Sequence, residues 1–439
     1  MAGSGQRRVV VAGAGIPGLS LALALKQAHG PALSVTVCDP ALASGAARHR
    51  GRAFAVAAGG RRMFERLGVW DTVLAAAEPI RDMVVSDSRL ADPVRPVFLT
   101  FAQEASAQEA SAQEASAQDA SAQDAQAGEP FAHMVEAEPL VDALLAACAA
   151  AGVVLDAVGI AAADPGPEAI ELRRTDGRTE SATLLVAADG ARSRLREGAG
   201  IGWVGWSYPQ AGIVATIGHE RPHGGRAWEH FLPSGPFAIL PLVDGGDLGG
   251  GKPGHRSSIV WTERAADVPA LLGGGPDEIL AEIERRFGHG LGRIVLEAGP
   301  SAHPLAFGIA RRFRADRLAL LGDAAHVIHP IAGQGLNLGL AGAASLAEAV
   351  TDALRLGLDP GAPDVLRAYE RDRRFETLAM GAMTDGLNRL FSTDALPVRL
   401  ARDLGLGLVD RLPGLKRLFI GQAAAARGTL PRLLRGQAL

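Results

Sequence analysis

Apolar runs alternate with small-residue helical patterns near both ends of the chain. Residues 8–39 show a β-α-β pattern, with strands predicted at 9–11 and 33–38 around a helix at 19–27. Much later in the chain, the apolar run 318–321 predicts another buried strand. Strands that alternate with helices are typical of a sheet covered by helices, so this pattern predicts an α/β fold.

The middle of the chain predicts a second sheet. Residues 203–262 contain several short segments that alternate in character, which is typical of strands in a mixed or antiparallel sheet. A further strand-like segment lies at 80–101, and helical patterns cover 138–150 and 363–395. Because the strand-like segments flank a strand at 184–186, we expect this sheet to be inserted into a split α/β domain.

Residues 103–127 are a low-complexity segment of five pentads, QEASA three times and then QDASA and QDAQA. They contain no large apolar residue and cannot bury a core face, so they predict a solvated insertion. The insertion separates a strand at 94–101 from one at 131–135, which places it at the tip of a predicted hairpin. A repeat that binds a partner is the alternative, but a tolerated loop expansion explains the composition more simply.

Composition and charge exclude several classes of function. The chain has 439 residues, enough for two or three domains, and its net charge of −4 gives no indication of nucleic-acid binding. Cys38 and Cys148 form no CxxC or zinc spacing, so we expect reduced thiols and a cytoplasmic location. No apolar run is long enough to predict a membrane span. Arg7, Arg8 and the apolar residues after them imitate a signal peptide, but their glycine spacing is better explained by a ligand-binding turn.

A glycine-rich turn joins the first strand to the first helix. Gly13, Gly15 and Gly18 have GxGxxG spacing, and Asp39 ends the second strand 21 residues after Gly18. In this context the glycines suit a tight turn, close phosphate approach and helix packing, and the aspartate suits ribose hydroxyls. With its flanking strands and helix, the motif is a strong indication of a bound dinucleotide.

The stretch 317–340 has the order strand, carboxylate, loop and helix. Gly322 and Asp323 follow the strand, and residues 333–335 open a helix that is predicted to run to about residue 354. The free N–H groups and partial positive charge at a helix N-terminus suit a ligand that develops negative charge. We therefore expect such a ligand here, next to a hydroxyl group held by Asp323.

A metal site is the alternative for this stretch. Asp323, His326 and His329 have i, i+3, i+6 spacing. A loop that contains proline would not hold these side chains on one helical face, so no metal is predicted.

The residues GDAAH…HPIAGQGLNLGL at 322–340 resemble the flavin-contacting segment of the FAD-dependent aromatic hydroxylases, which share the p-hydroxybenzoate hydroxylase fold. Within that family the chain is most similar to the ubiquinone-biosynthesis hydroxylases. A DG motif at Asp189 and Gly190 resembles the family's second cofactor motif. It lies between the glycine-rich turn at 13–18 and the segment 322–340. The cofactor residues implied by the resemblance are Gly13, Gly15, Gly18, Asp39, Arg52, Asp189, Gly190, Gly322, Asp323, Pro330, Gly333, Gln334, Gly335, Leu336 and Asn337. For Arg52, spacing alone leaves a surface arginine as an equal alternative.

The resemblance implies a fold class: an α/β protein with a split Rossmann-like FAD-binding domain, an inserted mixed β-sheet substrate domain and a helical C-terminal tail. The expected ranges are 1–79, 128–200 and 301–395 for the FAD-binding domain, 80–102 and 201–300 for the substrate domain, 103–127 for the pentad insertion and 396–439 for the basic helical tail.

The resemblance also implies a chemistry that needs neither a metal nor a nucleophilic side chain, and it identifies no catalytic residue. Flavin reduced by NAD(P)H reacts with O₂ to give a C4a-hydroperoxide, whose distal oxygen adds to an electron-rich phenol. The implied substrate is a polyprenylated phenol in ubiquinone biosynthesis, contacted by Phe231, Phe237 and Leu240. Two alternatives stay open, a hydroxylase of a soluble aromatic or polyketide substrate and a non-enzymatic isoprenoid-binding member of the fold. The expected assembly is a homodimer or a complex of quinone-biosynthesis proteins.

The chain departs from the pattern of the ubiquinone hydroxylases in three places, at two residue pairs and one single residue. Ala341 and Gly342 stand where an Arg-Asp pair is usual, and Ala137 and Glu138 stand where a polar-Arg pair often occurs. Gly51 occupies a position where an acid is common. The differences at 341–342 and 137–138 bear on whether this chain has the cofactor affinity and the reaction site of a typical ubiquinone hydroxylase.

The C-terminal segment 397–439 is basic and partly amphipathic. It carries eight arginine and lysine residues against Asp403 and Asp410, and leucines recur at three- and four-residue spacing. A basic helix of this kind binds anionic lipid at a membrane surface, which would place the protein on the inner face of the membrane. Pro413 and Pro431 break the run and favour a helix packed on its own domain or on a second subunit, so the two interpretations are balanced.

Overall fold

Five parallel strands and one antiparallel edge strand form a sheet at the centre of the larger core. The computed structural model describes residues 7–43, 51–87, 97–102, 130–243, 253–392 and 430–439. The strands of this sheet are β1 (Arg7–Ala12), β2 (Leu33–Cys38), β8 (Val154–Asp156), β12 (Leu184–Ala187), β18 (Arg314–Ala315) and β19 (Leu318–Leu320). Their order is β18-β19-β12-β1-β2-β8. The apolar runs fill its centre, where Val9, Val10 and Val11 are fully buried.

Helices pack against this sheet and against one another. The helices of the described residues are α1 (Ile16–His29), α2 (Ala58–Arg66), α3 (Trp70–Val73), α4 (Ala137–Ala151), α5 (Arg194–Gly198), α6 (Val268–Gly273), α7 (Pro276–Phe287), α8 (Gln334–Arg355) and α9 (Pro363–Phe391). α1 packs against α4 and α8, and α9 packs on α8. Small residues bring α1 and α8 close together, because a Cβ on Gly339 would lie only 2.8 Å from Cγ of Pro17.

The second large sheet has eight strands. They are β5 (Asp82–Asp87), β6 (Val97–Ala102), β13 (Trp203–His219), β14 (Arg226–Leu232), β15 (Gly235–Leu242), β16 (Arg256–Arg264), β17 (Ile294–Ala310) and β20 (His326–Val327), in the order β20-β17-β13-β16-β15-β14-β5-β6. β14 and β5 run parallel and the other neighbours antiparallel, so the sheet is mixed. α7 covers one face through Ile279 and Ile283. The domain boundary expected at residue 300 falls inside β17.

Two three-stranded sheets complete the fold. They contain β3 (Ala53–Ala57), β4 (Ala77–Ile80) and β7 (Ala132–Glu136) in the order β3-β7-β4, and β9 (Ile160–Pro165), β10 (Ile170–Arg174) and β11 (Thr179–Ala182) in the order β11-β10-β9. The hairpin predicted around the pentads is wrong, because β6 pairs with β5 whereas β7 lies between β3 and β4. The pentads themselves, 103–127, lie outside the described residues.

The end of the chain packs on the α/β layer. Leu433 and Leu434 are 2% and 6% exposed and join the larger core. Arg432 forms an ion pair with Glu348 of α8 at 3.2 Å. For its last ten residues, the tail expected at 396–439 therefore packs on its own chain, and the rest of that tail lies outside the described residues. None of the helices in the described part of the chain is long and apolar enough to cross a membrane.

Candidate functional site

The carboxyl ends of the parallel strands meet at one edge of their sheet. Ala12 at the end of β1 lies in register with Cys38 on one side and with Ala187 on the other, and Ala187 lies beside Leu320. The segments that follow these strands carry the motifs found in the sequence. The glycine turn, Asp39, the DG motif and the GD motif therefore come together at the edge where open α/β sheets bind ligands.

Two glycines of the turn between β1 and α1 are required by the protein itself. Gly13 has a φ of +122°, and a Cβ there would lie 2.1 Å from the carbonyl oxygen of Ala188. A Cβ on Gly18 would lie 2.3 Å from the carbonyl oxygen of Gly13. At Gly15, in contrast, the nearest atom of the described residues is Cδ of Pro17 at 3.9 Å, and no side chain caps α1. This open space at an uncapped helix N-terminus suits a phosphate group.

Asp39 holds this turn from the end of β2. Its Oδ2 accepts a hydrogen bond from the N–H of Ala14 at 2.8 Å, and its Oδ1 accepts one from the N–H of Ala41 at 2.8 Å. A carboxylate has about four acceptor sites. The carboxylate of Asp39 thus has more acceptor sites than the two that hold the turn.

The DG motif forms the turn between β12 and α5. Gly190 has a φ of +88°, in the left-handed region that favours glycine. The Asp189 carboxylate is exposed, and it lies 3.5 Å from the backbone nitrogen of Leu195. Ser193 caps α5 by accepting a hydrogen bond from the N–H of Arg196 at 3.0 Å. The motif thus shapes a turn at the sheet edge and leaves its carboxylate accessible.

Gly322 and Asp323 lie in a short 3₁₀ turn directly after β19. Asp323 is accessible to solvent, although protein atoms surround its carboxyl closely. This burial raises the pKa of the Asp323 carboxyl, and the positive charge of Arg52 opposes the rise. Arg52 therefore lies near enough to act on Asp323, so these two predicted cofactor residues face the same region.

Hydrogen bonds from the side chain of Asn337 connect the N-terminus of α8 to β3. The Oδ1 of Asn337 accepts the N–H of Ala57, and its Nδ2 donates to the carbonyl of Ala55, both at 3.0 Å. Gly333 is the left-handed N-cap of α8, with a φ of +62°, and no side chain caps the helix. A Cβ at Gly335 would meet no atom within 4 Å in the described part of the chain. The first turn of α8 therefore offers open space to a ligand at the partially positive end of the helix.

A cavity of about 470 Å³ separates the N-terminus of α8 from the eight-stranded sheet. Its volume is typical of small-molecule sites, which span roughly 300–1,000 Å³. The wall formed by the sheet is mostly apolar and includes Met83, Val214, Ala238, Leu240, Val260 and Leu305. The opposite wall contains the predicted cofactor residues Arg52, Pro330, Gly333, Gln334, Gly335, Leu336 and Asn337. The cavity thus joins an uncapped helix end to an apolar surface.

Of the three predicted substrate contacts, only Leu240 lines this cavity. Phe237 lies on the same strand, but its side chain points to the opposite face and is fully buried beside Trp261. Phe231 stacks on Phe391 of α9, with ring centroids 4.1 Å apart, and does not line the cavity. The prediction for Phe237 is wrong, because the apolar run 235–242 does not reveal which face each residue takes. The prediction for Phe231 is wrong for another reason, since this residue shares the face of Ala227 and Glu229 but packs on α9 beside the cavity.

The sequence prediction missed one charged residue of the cavity wall. Glu229 on β14 is 5% exposed and lines the cavity. Burial raises the pKa of its carboxyl to about 7. A signal was present in the sequence, since Glu229 lies two residues from both Ala227 and Phe231 and so shares one strand face with these apolar residues.

The two histidines of the GD loop are enclosed by protein. His329 is fully buried and packs edge-on against Tyr208, with ring centroids 5.2 Å apart. His326 is buried near Phe313. Burial lowers the pKa of each imidazole to about 4. Within the described ranges, no group of three or more His, Cys, Asp and Glu side chains could hold a metal ion.

Comparison with known proteins identifies the family. Residues 6–380 match the family described as FAD binding domain. The chain belongs to this FAD-binding family. The ubiquinone hydroxylase UbiL of Rhodospirillum rubrum is 42% identical over 437 residues, which cover 98% of this chain and 92% of that protein. The 3-demethoxyubiquinol 3-hydroxylase of Escherichia coli is 35% identical over 56% of this chain and 60% of its own length.

A solved structure of similar fold supports the architecture. The p-nitrophenol 4-monooxygenase PnpA from Pseudomonas putida has a TM-score of 0.72 and 19% identity, covering 97% of this chain and 99% of that chain. The predicted family and the predicted α/β fold class with a mixed sheet are therefore confirmed. The residues present also fit FAD, because a Cβ at Gly15 or Gly335 would fill space that the protein leaves open.

Proposed function

We propose that this protein is an FAD-dependent monooxygenase that hydroxylates a phenolic ring, and that its substrate is a polyprenylated phenol in ubiquinone biosynthesis. The cavity between the uncapped N-terminus of α8 and the apolar sheet wall carries this proposal. A flavin ring at the helix end and a phenol ring against the sheet would share this space. Similarity to a ubiquinone hydroxylase over nearly the whole chain supports a quinone-related substrate.

We assign the cofactor contacts to residues at the sheet edge and the helix ends. The open space at Gly15 receives the pyrophosphate, Asp39 binds the ribose, and Asp323 binds the ribityl chain. The backbone of residues 333–337 at the start of α8 faces the pyrimidine edge of the flavin, and Arg52 lies along the cofactor. Reduced flavin is anionic at this edge, so the partial positive charge of the α8 N-terminus stabilises it.

The protein contributes placement and exclusion of water rather than a nucleophile. Bound FAD, reduced by NAD(P)H, supplies the activation of O₂. The side chains of Met83, Val214 and Leu305 hold the aromatic ring by apolar contact on the sheet wall. The apolar wall also keeps water from the reacting atoms, which favours transfer of oxygen to the ring.

A comparison of substrates tests this proposal. NAD(P)H oxidation by the purified, FAD-loaded protein should rise more with a prenylated phenol than with the same phenol lacking the prenyl group. Stronger stimulation by the unprenylated phenol would favour a soluble aromatic substrate. A protein that binds a prenylated phenol but neither FAD nor NAD(P)H would be a carrier instead. In a strain that lacks the gene, the quinone intermediate that accumulates would identify the step.

We also propose that the protein works on the cytoplasmic face of the membrane. Its proposed substrate is lipid-soluble, and the tail residues 396–429 carry six basic side chains against Asp403 and Asp410. Such a segment binds anionic headgroups, and salt weakens that attraction. Co-sedimentation with anionic liposomes should therefore exceed that with neutral liposomes and fall at high salt. Binding that ignores lipid charge and salt, or no binding, would favour packing on a second subunit.

A further inference from the structure

Glu229 is a carboxylate set in the apolar wall of the cavity. The alternation of β14 directs Ala227 and Glu229 toward the cavity and Trp228 toward the core around α7. Across the sheet, Glu229 lies between Val85 of β5 and Ala238 of β15, neither of which can pair with it. The carboxylate therefore faces the space in which we place the substrate ring.

This carboxylate has no partner among the described residues, either by hydrogen bond or by ion pair. Glu263 in the same sheet shows the contrast. It is also 5% exposed, but it pairs with Arg286 at 2.8 Å and accepts a hydrogen bond from Trp261 at 3.2 Å. An unpaired buried carboxylate is strongly unfavourable, so a ligand that donates a hydrogen bond would relieve it.

We propose that Glu229 is a catalytic residue that receives the ring hydroxyl of the substrate and removes its proton. This inference rests on the proposed function. The phenolic O–H bond breaks, the proton passes to a carboxylate oxygen of Glu229, and the electron pair stays on the phenolate oxygen. The phenolate pushes electron density into the ring, which makes the ring a better target for an electrophilic oxygen.

The surroundings of Glu229 suit a base that works near neutral pH. Burial raises the pKa of Glu229 to about 7, which is closer to that of a phenol than an ordinary carboxyl would be. Arg52 and His303 are the other cavity-lining residues of the described chain that can carry a charge. The neighbouring strands β5 and β15 contribute only neutral residues to the cavity lining, namely Met83, Pro236, Ala238 and Leu240. The basic form of Glu229 should therefore increase as the pH rises through about 7.

A binding comparison tests the contact without turnover. The FAD-loaded protein, without NAD(P)H, is titrated with ortho-prenylphenol and with its methyl ether, and the change in flavin absorbance is followed. Since a hydrogen bond to a charged group contributes about tenfold or more in affinity, the wild type should prefer the phenol about tenfold or more at pH 8 and less at pH 5.5. Glu229→Gln should lose most of this preference and its pH dependence. Glu284→Gln on α7 removes a similar charge away from the cavity and should behave as the wild type.

Turnover then tests the proton transfer. Substrate-stimulated NAD(P)H oxidation by the wild type should rise with pH through about 7, and Glu229→Gln should be slower by about a hundredfold, the typical contribution of a general base, and lack this rise. A Glu229→Gln variant with the wild-type preference and pH profile would overturn the inference. If no phenol stimulates oxidation in the wild type, the proposed function fails, while the binding comparison still decides whether Glu229 receives the hydroxyl.

Stability distinguishes this role from a purely structural one. Because the folded-state pKa of Glu229 is raised, the carboxylate destabilises the ligand-free protein above about pH 7 and not below the pKa of about 4.3 of an unfolded glutamate. Glu229→Gln should therefore have a higher Tm than the wild type at pH 8 and the same Tm at pH 4. A lower Tm at pH 8 would show that Glu229 has a structural partner and would contradict the inference.

Discussion

Two glycines on α8 lie four residues apart and should respond in opposite ways to alanine. A Cβ at Gly335 would meet no atom within 4 Å in the described chain, although Gly335 lines the cavity. A Cβ at Gly339 would lie 2.8 Å from Cγ of the rigid Pro17 ring. If FAD occupies the space at Gly335, then Gly335→Ala should damage cofactor binding and Gly339→Ala should damage the fold.

The magnitudes follow from helix propensity and from overpacking. Alanine is favoured over glycine in a helix by up to about 1 kcal/mol, so Gly335→Ala should raise the Tm of the FAD-free protein by at most about 2–4 °C. Overpacking lowers the free energy of unfolding by about 1–3 kcal/mol. In Gly339→Ala this loss equals or exceeds the gain in helix propensity. In Gly335→Ala the added methyl group would press against bound FAD. If this contact costs the same amount, about 1–3 kcal/mol of binding free energy, FAD affinity falls by about five- to a hundredfold.

The assay is a titration of FAD-free protein with FAD, together with the Tm of each variant. Gly386→Ala is the matched control, because Gly386 lies in α9 away from the cavity and its Cβ would also meet nothing within 4 Å of the described chain. This control should gain stability and keep wild-type FAD affinity. Wild-type affinity in Gly335→Ala would refute the reasoning, since the space at Gly335 would then not belong to FAD.

Three further predictions concern the cofactor, the insertion and the sheet. Asp323→Ala should lose FAD while staying folded by circular dichroism, because the carboxylate has a ribityl hydroxyl as its proposed partner; retained FAD affinity would remove that assignment. Deletion of 103–127 should leave the Tm and the FAD content nearly unchanged, since the pentads have no apolar face to bury, and a large fall in Tm would show that they pack on the fold. Phe237→Ala should lower the free energy of unfolding, measured with urea, by about 3–5 kcal/mol. Leu240→Ala should lower it less and should raise KM for the prenylated phenol. Equal losses of stability in the two variants would contradict the assignment of Phe237 to the core face and Leu240 to the cavity face.

The local order of the site could be read from the sequence. Strand, glycine turn, helix and carboxylate lie within 8–39, and 317–340 has a similar order, so short-range signals predict both segments. Parallel pairing then brings their ends together, as the register of Ala12 with Cys38 and Ala187 shows. The open spaces at Gly15 and Gly335 agree with the glycines expected to approach a ligand.

Long-range pairing and strand faces could not be predicted in the same way. The strands on either side of the pentads look like a hairpin in sequence, yet each finds its partners in a different sheet. Phe237 and Leu240 stand in one apolar run, and only the packing of α7 behind the sheet shows that Phe237 belongs to the core. The sequence shows that Glu229 shares a strand face with apolar residues, but only the pairing of β14 with β5 and β15 shows that its cross-strand neighbours, Val85 and Ala238, cannot neutralise it.

Isotope transfer from O₂ tests the central claim most directly. The FAD-loaded protein is incubated with NAD(P)H and a prenylated phenol under oxygen-18 gas, and the product is analysed by mass spectrometry. A flavin monooxygenase of this kind should yield a hydroxylated ring that carries a single labelled oxygen atom, in proportion to the NAD(P)H consumed. Oxygen derived from water, or NAD(P)H consumption that leaves the ring unchanged, would contradict the account.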